Sequence, residues 1–253
     1  FQPTYTTRIN TSGARYEYDG RKNKLEYVVS TNLFGANILS GLDYLKKNAD
    51  MNGTIADKEI HSIFSEARFQ VLNNTKIDAS LRREYDSQYD TFETARVQVN
   101  NNFFKNFILR GSFGSGYRTP SPYELYSTYG NTNLAPEKSV TYDLGSEIIL
   151  KENSSKLYLG AFETKVEDII TYSSSKYRQS TAYLKTYGFE MRFKTNIYDF
   201  LSTNLNYTKT HGKENDGDSI TLVPENKVMY SLNFEPTEKI NINTETLEYS
   251  ERA

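Results

Sequence analysis

Residues 48–59 hold the spacing most suggestive of chemistry. Asn48, Asp50 and Asn52 put oxygen-bearing side chains at positions 1, 3 and 5 of this stretch, Gly53 stands at 6, Thr54 at 7, Ile55 at 8 and Glu59 at 12. That is the donor order of a calcium-binding loop, in which glycine permits a sharp turn and the last glutamate binds through both oxygens. Asn48 replaces the expected aspartate, which removes one charge and weakens the site. The flanks read as strands and not helices, so a helical calcium-binding domain is not expected, and an ordinary polar loop fits the same spacing.

Other chemistry finds little support. The chain has no cysteine, so thiol nucleophiles, disulfides and cysteine-held metals are excluded. Its two histidines, His61 and His211, each sit beside polar stretches and read as solvated loop residues. No phosphate-cradling glycine loop and no nucleophile elbow occurs. Carboxylate pairs such as Glu84 with Glu93 carry no weight among 32 acidic residues. The expectation is that this is not an enzyme. A net charge of −2 without a basic block gives nucleic-acid binding no support either.

The elements that would position such residues are clearest between Arg110 and Leu150. Phe107, Leu109, Gly111 and Phe113 share one face of a segment, with Arg110, Ser112 and Gly114 on the other, which is the period of a half-apolar strand. Val140, Tyr142, Leu144, Ile148 and Leu150 repeat that pattern after a loop. Inside the loop, Pro120 stops the ladder. Ser121, Pro122 and Glu124 then spell a capped helical turn.

As a whole string, GSGYRTPSPYELY followed by YGNTNLAPEKS resembles the barrel of TonB-dependent outer-membrane receptors. The family form is F/Y-K/R-A-P-S-x-x-E-L-Y, then G-N-P-N-L-x-P-E-K-S. The chain departs from it at Thr119 and Thr132, away from the turn residues. The GFE of residues 188–190 matches the family's G-x-E strand.

The remaining segments agree with a barrel. Residues 24–34 and 36–45 predict a hairpin about Gly35, and residues 63–72 and 76–85 predict another about Asn73-Asn74. Between them, residues 46–61 read as a long connection, and residues 18–23 as a polar turn. Tyr183, Tyr187, Phe189, Met191 and Phe193 alternate with Thr186, Gly188, Glu190, Arg192 and Lys194. Short turns alternate with long loops, as in outer-membrane barrels, where alternate residues meet lipid and average hydropathy stays low. The mean hydropathy of −0.68 is compatible with that reading. A soluble sandwich would alternate in the same way but without the alternation of loop lengths.

The expected fold is therefore all-β, an antiparallel transmembrane barrel segment of about 13 strands out of a roughly 22-stranded barrel. Residues 1–253 would be one TonB-dependent receptor barrel domain truncated at both ends, with the plug domain absent from it. The resemblance implies an outer-membrane receptor of a Gram-negative bacterium, crossing the membrane many times and taking up a scarce nutrient. Cobalamin is the first choice, because the YGN-x-NL-x-PEKS string looks most like cobalamin receptors. A ferric siderophore or haem receptor is the alternative within the family, although the haem receptors' histidine is missing between Arg118 and Leu134. A passive porin-like channel or an inactive barrel fragment is the alternative from another class.

Implied partners are the TonB complex, reached through a missing N-terminal plug region, a small nutrient (cobalamin or a metal chelate) and outer-membrane lipid. No cofactor is required, with Ca2+ at residues 48–59 as the one candidate, since cobalamin receptors use calcium in outer loops. Candidate ligand contacts are Tyr126, Tyr129, Asn131 and Asn133, with Tyr123 beside them. Tyr117 and Tyr142 are expected in the interfacial aromatic girdle.

Overall fold

The computed structural model describes residues 2–9, 15–51, 54–151, 154–215, 218–219 and 224–250. Strands β1 (Gln2–Ile9), β2 (Arg15–Leu33), β3 (Ala36–Met51) and β4 (Thr54–Leu72) are followed by β5 (Thr75–Asp86), β6 (Asp90–Phe104) and β7 (Phe107–Arg118). One helical turn, α1 (Pro122–Tyr126), precedes β8 (Glu137–Lys151) and β9 (Ser155–Glu167). The short pair β10 (Ile170–Ser173) and β11 (Lys176–Gln179) leads into β12 (Leu184–Tyr198), β13 (Leu201–Glu214), β14 (Asp218–Ser219), β15 (Asn226–Thr237) and β16 (Ile240–Tyr249).

Among the described residues these form a 14-stranded antiparallel sheet in which each long strand pairs with the next long strand. β14 pairs with β13 off that path, and β10–β11 stand apart as their own hairpin. The arrangement is the expected all-β antiparallel wall. Chain-neighbour pairing follows from the turns: Phe34 and Gly35, at φ 51° and 79°, supply the left-handed pair that matches strand twist in a two-residue hairpin.

The two-residue period sorts the side chains. Leu25, Ile63, Leu81 and Leu144 stand on one face, 72%, 58%, 68% and 58% exposed. On the other face Asp43 and Ser62 are buried, at 7% and 6%. A soluble domain would invert this order. Apolar residues outward and hydrogen-bonded polar residues inward is the arrangement of a membrane barrel. On the inner face Arg82 donates to Asp43 at 2.6 Å and to Glu84 at 2.8 Å, with Ser62 between them.

Aromatic residues mark the two edges of the apolar band. At the short-turn end Phe103 meets Phe107, and Phe200 stacks on Tyr198 and meets Phe234 edge-on. At the other end Tyr44, His61 and Tyr85 make one group. A row of facing positions runs from Phe113 through Tyr142, Glu163 and Tyr187 to His211. Tyr142 thus lies in the girdle, 5.2 Å from Phe113. Both histidines belong to strands in this girdle, β4 and β13, and not to loops.

Three expectations need correction. Residues 46–61 are not a long connection, because β3 continues to Met51 and β4 begins at Thr54. The polar stretch 18–23 lies within β2. Past the aromatic row Lys46, Lys47 and Asn48 follow one another and the small Ala49 and Ala56 take buried inner positions, so the apolar alternation that reveals a strand vanishes while the ladder continues. Tyr117 is not a girdle residue either: it stacks on Phe92 at 4.0 Å and donates to Glu84.

Candidate functional site

The loop after β7 is built from its sequence outward. Ser121 Oγ accepts from the Glu124 N–H, and Glu124 Oε2 accepts from the Ser121 N–H at 2.7 Å, so both halves of the expected capping box form. Arg118 then ties the loop to the strands on either side of it. Its Nη1 donates to Glu124 at 2.9 Å and its Nε to Glu137 at 2.6 Å. Burial pushes the Glu124 carboxyl up, but the bonds from Arg118 and Ser121 outweigh it and hold it below the ordinary range. After α1 the chain doubles back so closely that a Cβ on Gly130 would stand 2.5 Å from the Leu125 carbonyl oxygen. Leu125 and Leu134 are buried beneath this turn.

The β10–β11 hairpin docks on the same loop. Tyr177 N donates to Tyr129 O at 2.8 Å, Asn131 Nδ2 to Tyr177 O at 3.1 Å, and Ala135 N to Gln179 Oε1 at 2.8 Å. Glu137, already held by Arg118, accepts from Ile170 N. The docking joins four tyrosines into a chain. Tyr123 meets Tyr177 edge-on at 6.2 Å, Tyr177 meets Tyr172 at 5.3 Å, and Tyr172 meets Tyr129 at 5.7 Å. Tyr123, Tyr129 and Tyr172 remain 47%, 42% and 54% exposed. Exposed, fixed aromatic faces of this kind suit a flat or aromatic ligand.

Below the loop is a buried ion pair. Lys58 Nζ lies 2.6 Å from Asp86, donates to Thr119 Oγ1 at 2.7 Å and faces the Tyr89 ring at 5.3 Å. Burial first, with Tyr126, Asp86 and Glu124 close by, pushes the Tyr89 phenol up to about 12.

The residues expected to bind ligand take different roles. Tyr129 belongs to the exposed tyrosine chain. Tyr126 is half-buried and turns toward Gln88, whose Nε2 reaches its hydroxyl at 3.5 Å. Asn131 carries loop structure: its backbone N–H donates to Glu124 O, its amide to Tyr177 O, and its Oδ1 accepts from Asn133 N. Asn133 is exposed. Tyr172 and Tyr177 were not legible as site residues, because only tertiary docking brings them to Tyr129.

The calcium spacing is not gathered into a ring. Asn48 and Asp57 face each other across β3 and β4, with Asn48 Nδ2 donating at 2.6 Å. Glu59 is paired with Lys46 at 2.8 Å. Asp50 faces Ile55, Thr54 opens β4, and Asn52 lies outside the described residues. A cation beside Glu59 would meet the Lys46 ammonium, so this hairpin does not fit the ion. Among the described residues no group of three or more histidine, aspartate or glutamate side chains converges to hold a metal. A groove of about 730 Å3, lined by Tyr27, Leu42, Ile63 and Leu81, opens on the apolar outer face, away from the loops.

The family described as TonB dependent receptor-like, beta-barrel, matches residues 1–249. The chain belongs to that family. Its members are transport receptors and not enzymes, and their barrels lie in the Gram-negative outer membrane. The vitamin B12 transporter of Vibrio cholerae serotype O1 is 27% identical over 100 residues, covering 39% of this chain and 16% of that protein. The siderophore receptor PirA of Pseudomonas aeruginosa superposes with a TM-score of 0.78 at 16% identity, over 97% of this chain and 48% of the receptor. A variant ferric enterobactin receptor of Pseudomonas aeruginosa, bound to enterobactin, gives 0.81 at 14% identity, over 98% and 46%. The TonB-dependent receptor chain thus spans less than half the length of these solved relatives, and at such identities the likeness concerns the fold.

Proposed function

We propose that this chain is the barrel wall and outer-loop mouth of a receptor for TonB-driven uptake of a scarce nutrient, with cobalamin as the first substrate. The observation that carries the reading is the loop of residues 118–137, locked to both flanking strands by Arg118 and presenting the tyrosine chain with the β10–β11 hairpin. The 100-residue similarity to a vitamin B12 transporter favours a corrinoid. The likeness to siderophore receptors keeps a ferric chelate as the second reading, with haem behind it. Uptake would require the TonB complex, acting through a plug region. A passive pore would need no such tyrosine platform at its mouth.

The test is equilibrium binding and uptake of cyanocobalamin, a ferric catecholate and haem by the intact receptor in outer membranes, with and without TonB. Saturable, TonB-dependent cobalamin uptake, weakened by alanine at Tyr129 and Tyr172, supports the first reading. Uptake of the ferric catecholate alone would replace it with the second. Non-saturable entry of all three would make the protein a passive channel.

A further inference from the structure

Lys22, Lys47 and Lys58 stand at facing positions on three neighbouring strands, Lys22 opposite Lys47 and Lys47 opposite Lys58. Like charges placed directly opposite destabilise a sheet. Only the third has a counter-charge: Lys58 is bound to the fully buried Asp86, whereas Lys22 and Lys47 have no ion-pair partner among the described residues. Both are exposed.

The two-residue period puts this row on the inner face, the face of Asp43 and Ser62, at the long-loop end of the wall. Tyr44, on the opposite face of β3, belongs to the aromatic girdle, so Lys47 lies past the edge of the hydrocarbon. The row also adjoins the loop just described. α1 packs against β3 and β4, and Lys58 holds Thr119 at the start of that loop.

We infer that Lys22 and Lys47 form an oxyanion subsite on the inner wall of the mouth, taking a negatively charged oxygen group of the substrate. Two ammonium groups without a direct ion pair, fixed on paired strands with Asp86 and Glu84 as the carboxylates acting on Lys47, raise the positive potential of the inner wall. The matching chemistry is the phosphodiester of a corrinoid nucleotide loop or the catecholate oxygens of a ferric chelate. The tyrosine chain would meet the ring system and the lysines its charge. This inference rests on the receptor reading above.

The experiment measures equilibrium binding to the intact receptor in outer membranes. The probes are cyanocobalamin, dicyanocobinamide (the same corrin ring without the nucleotide loop that carries the phosphodiester), a ferric tris-catecholate and an uncharged ferric trihydroxamate. The wild type is expected to prefer an oxyanion-bearing probe over its uncharged counterpart. Lys22→Gln with Lys47→Gln should weaken that probe about tenfold, a change of about 1.4 kcal/mol, and flatten its salt dependence. Lys22→Arg with Lys47→Arg should retain affinity, which separates charge from folding. Equal affinity of the wild type and the double glutamine variant, or no preference for the charged probe, overturns the subsite and leaves the receptor reading intact. Binding of none of the four probes overturns both.

Discussion

Lys58 and Asp86 form an ion pair of 2.6 Å in which the carboxylate has no solvent exposure. Removing one member of a buried pair strands the other's charge, at a cost of about 3–5 kcal/mol. Asp86→Ala should therefore lower unfolding stability by roughly that amount. It should also release Thr119, so that protease cuts within residues 119–136 more readily. Urea titration in lipid vesicles and a timed digest measure the two effects. An Asp86→Ala protein as stable and as resistant as the parent would show that the pair holds nothing.

Acid should loosen the mouth loop. The Glu124 carboxyl is held below its ordinary value of 4.5 in the folded protein. Its contribution is therefore fully present above the ordinary range and lost as pH falls through the depressed folded value. Protease sensitivity of residues 119–136 is expected to rise over that acid window. Glu124→Gln should be looser at neutral pH and lose the acid response attributable to this residue, whereas an unchanged pH profile in that variant would assign the effect elsewhere.

Calcium should leave the β3–β4 hairpin unaffected. Lys46 occupies Glu59 and Asn48 occupies Asp57, so binding would have to break two existing contacts. Millimolar calcium is expected to change neither thermal stability nor digestion of residues 46–61. Saturable protection that disappears in Glu59→Gln would instead establish the ion there.

Gly188 is where the sheet leaves no room for a side chain. A Cβ would stand 1.9 Å from the Lys209 carbonyl oxygen and 3.0 Å from the Phe162 ring. Gly188→Val should cost about 1–3 kcal/mol or more through overpacking. The expected signature is loss of the heat-modifiable band on an unboiled gel, with Thr186→Val as a size control on a neighbouring inward position.

How much of this was readable in advance depends on how far each signal reaches along the chain. The capping box of Ser121 and Glu124 is local, and it forms as its spacing predicts. Strands were legible where one face meets lipid, as along Tyr187, Phe189 and Met191. Beyond the girdle polar residues run together and the buried inner positions are the small Ala49 and Ala56, so the outer parts of β2, β3 and β4 looked like turns and loops. Tyr117 was misjudged because its contacts with Phe92 and Glu84 depend on strands far away in sequence. The partnership of Tyr129 with Tyr172 was hidden for the same reason. The calcium spacing is a different case: a linear donor order specifies a ring only if the side chains converge, and here Asn48 lies against Asp57 and Glu59 against Lys46.

The contact of Tyr117 with Phe92 also bears on how the wall moves. Pairing between β6 and β7 ends at Arg96 and Gly114, although the strands continue to Asp90 and Arg118. Beyond that point the Ala95 N–H donates to Ser115 Oγ, and the Tyr117 ring fills the wedge. This seam is laced by side chains where its neighbours are stitched by backbone. The Thr91 and Glu93 amides, which alternate with Ala95 toward β7, should exchange with deuterium sooner than those of Val97 and Val99. If they do, the rim can flare here without unzipping the membrane-spanning ladder below.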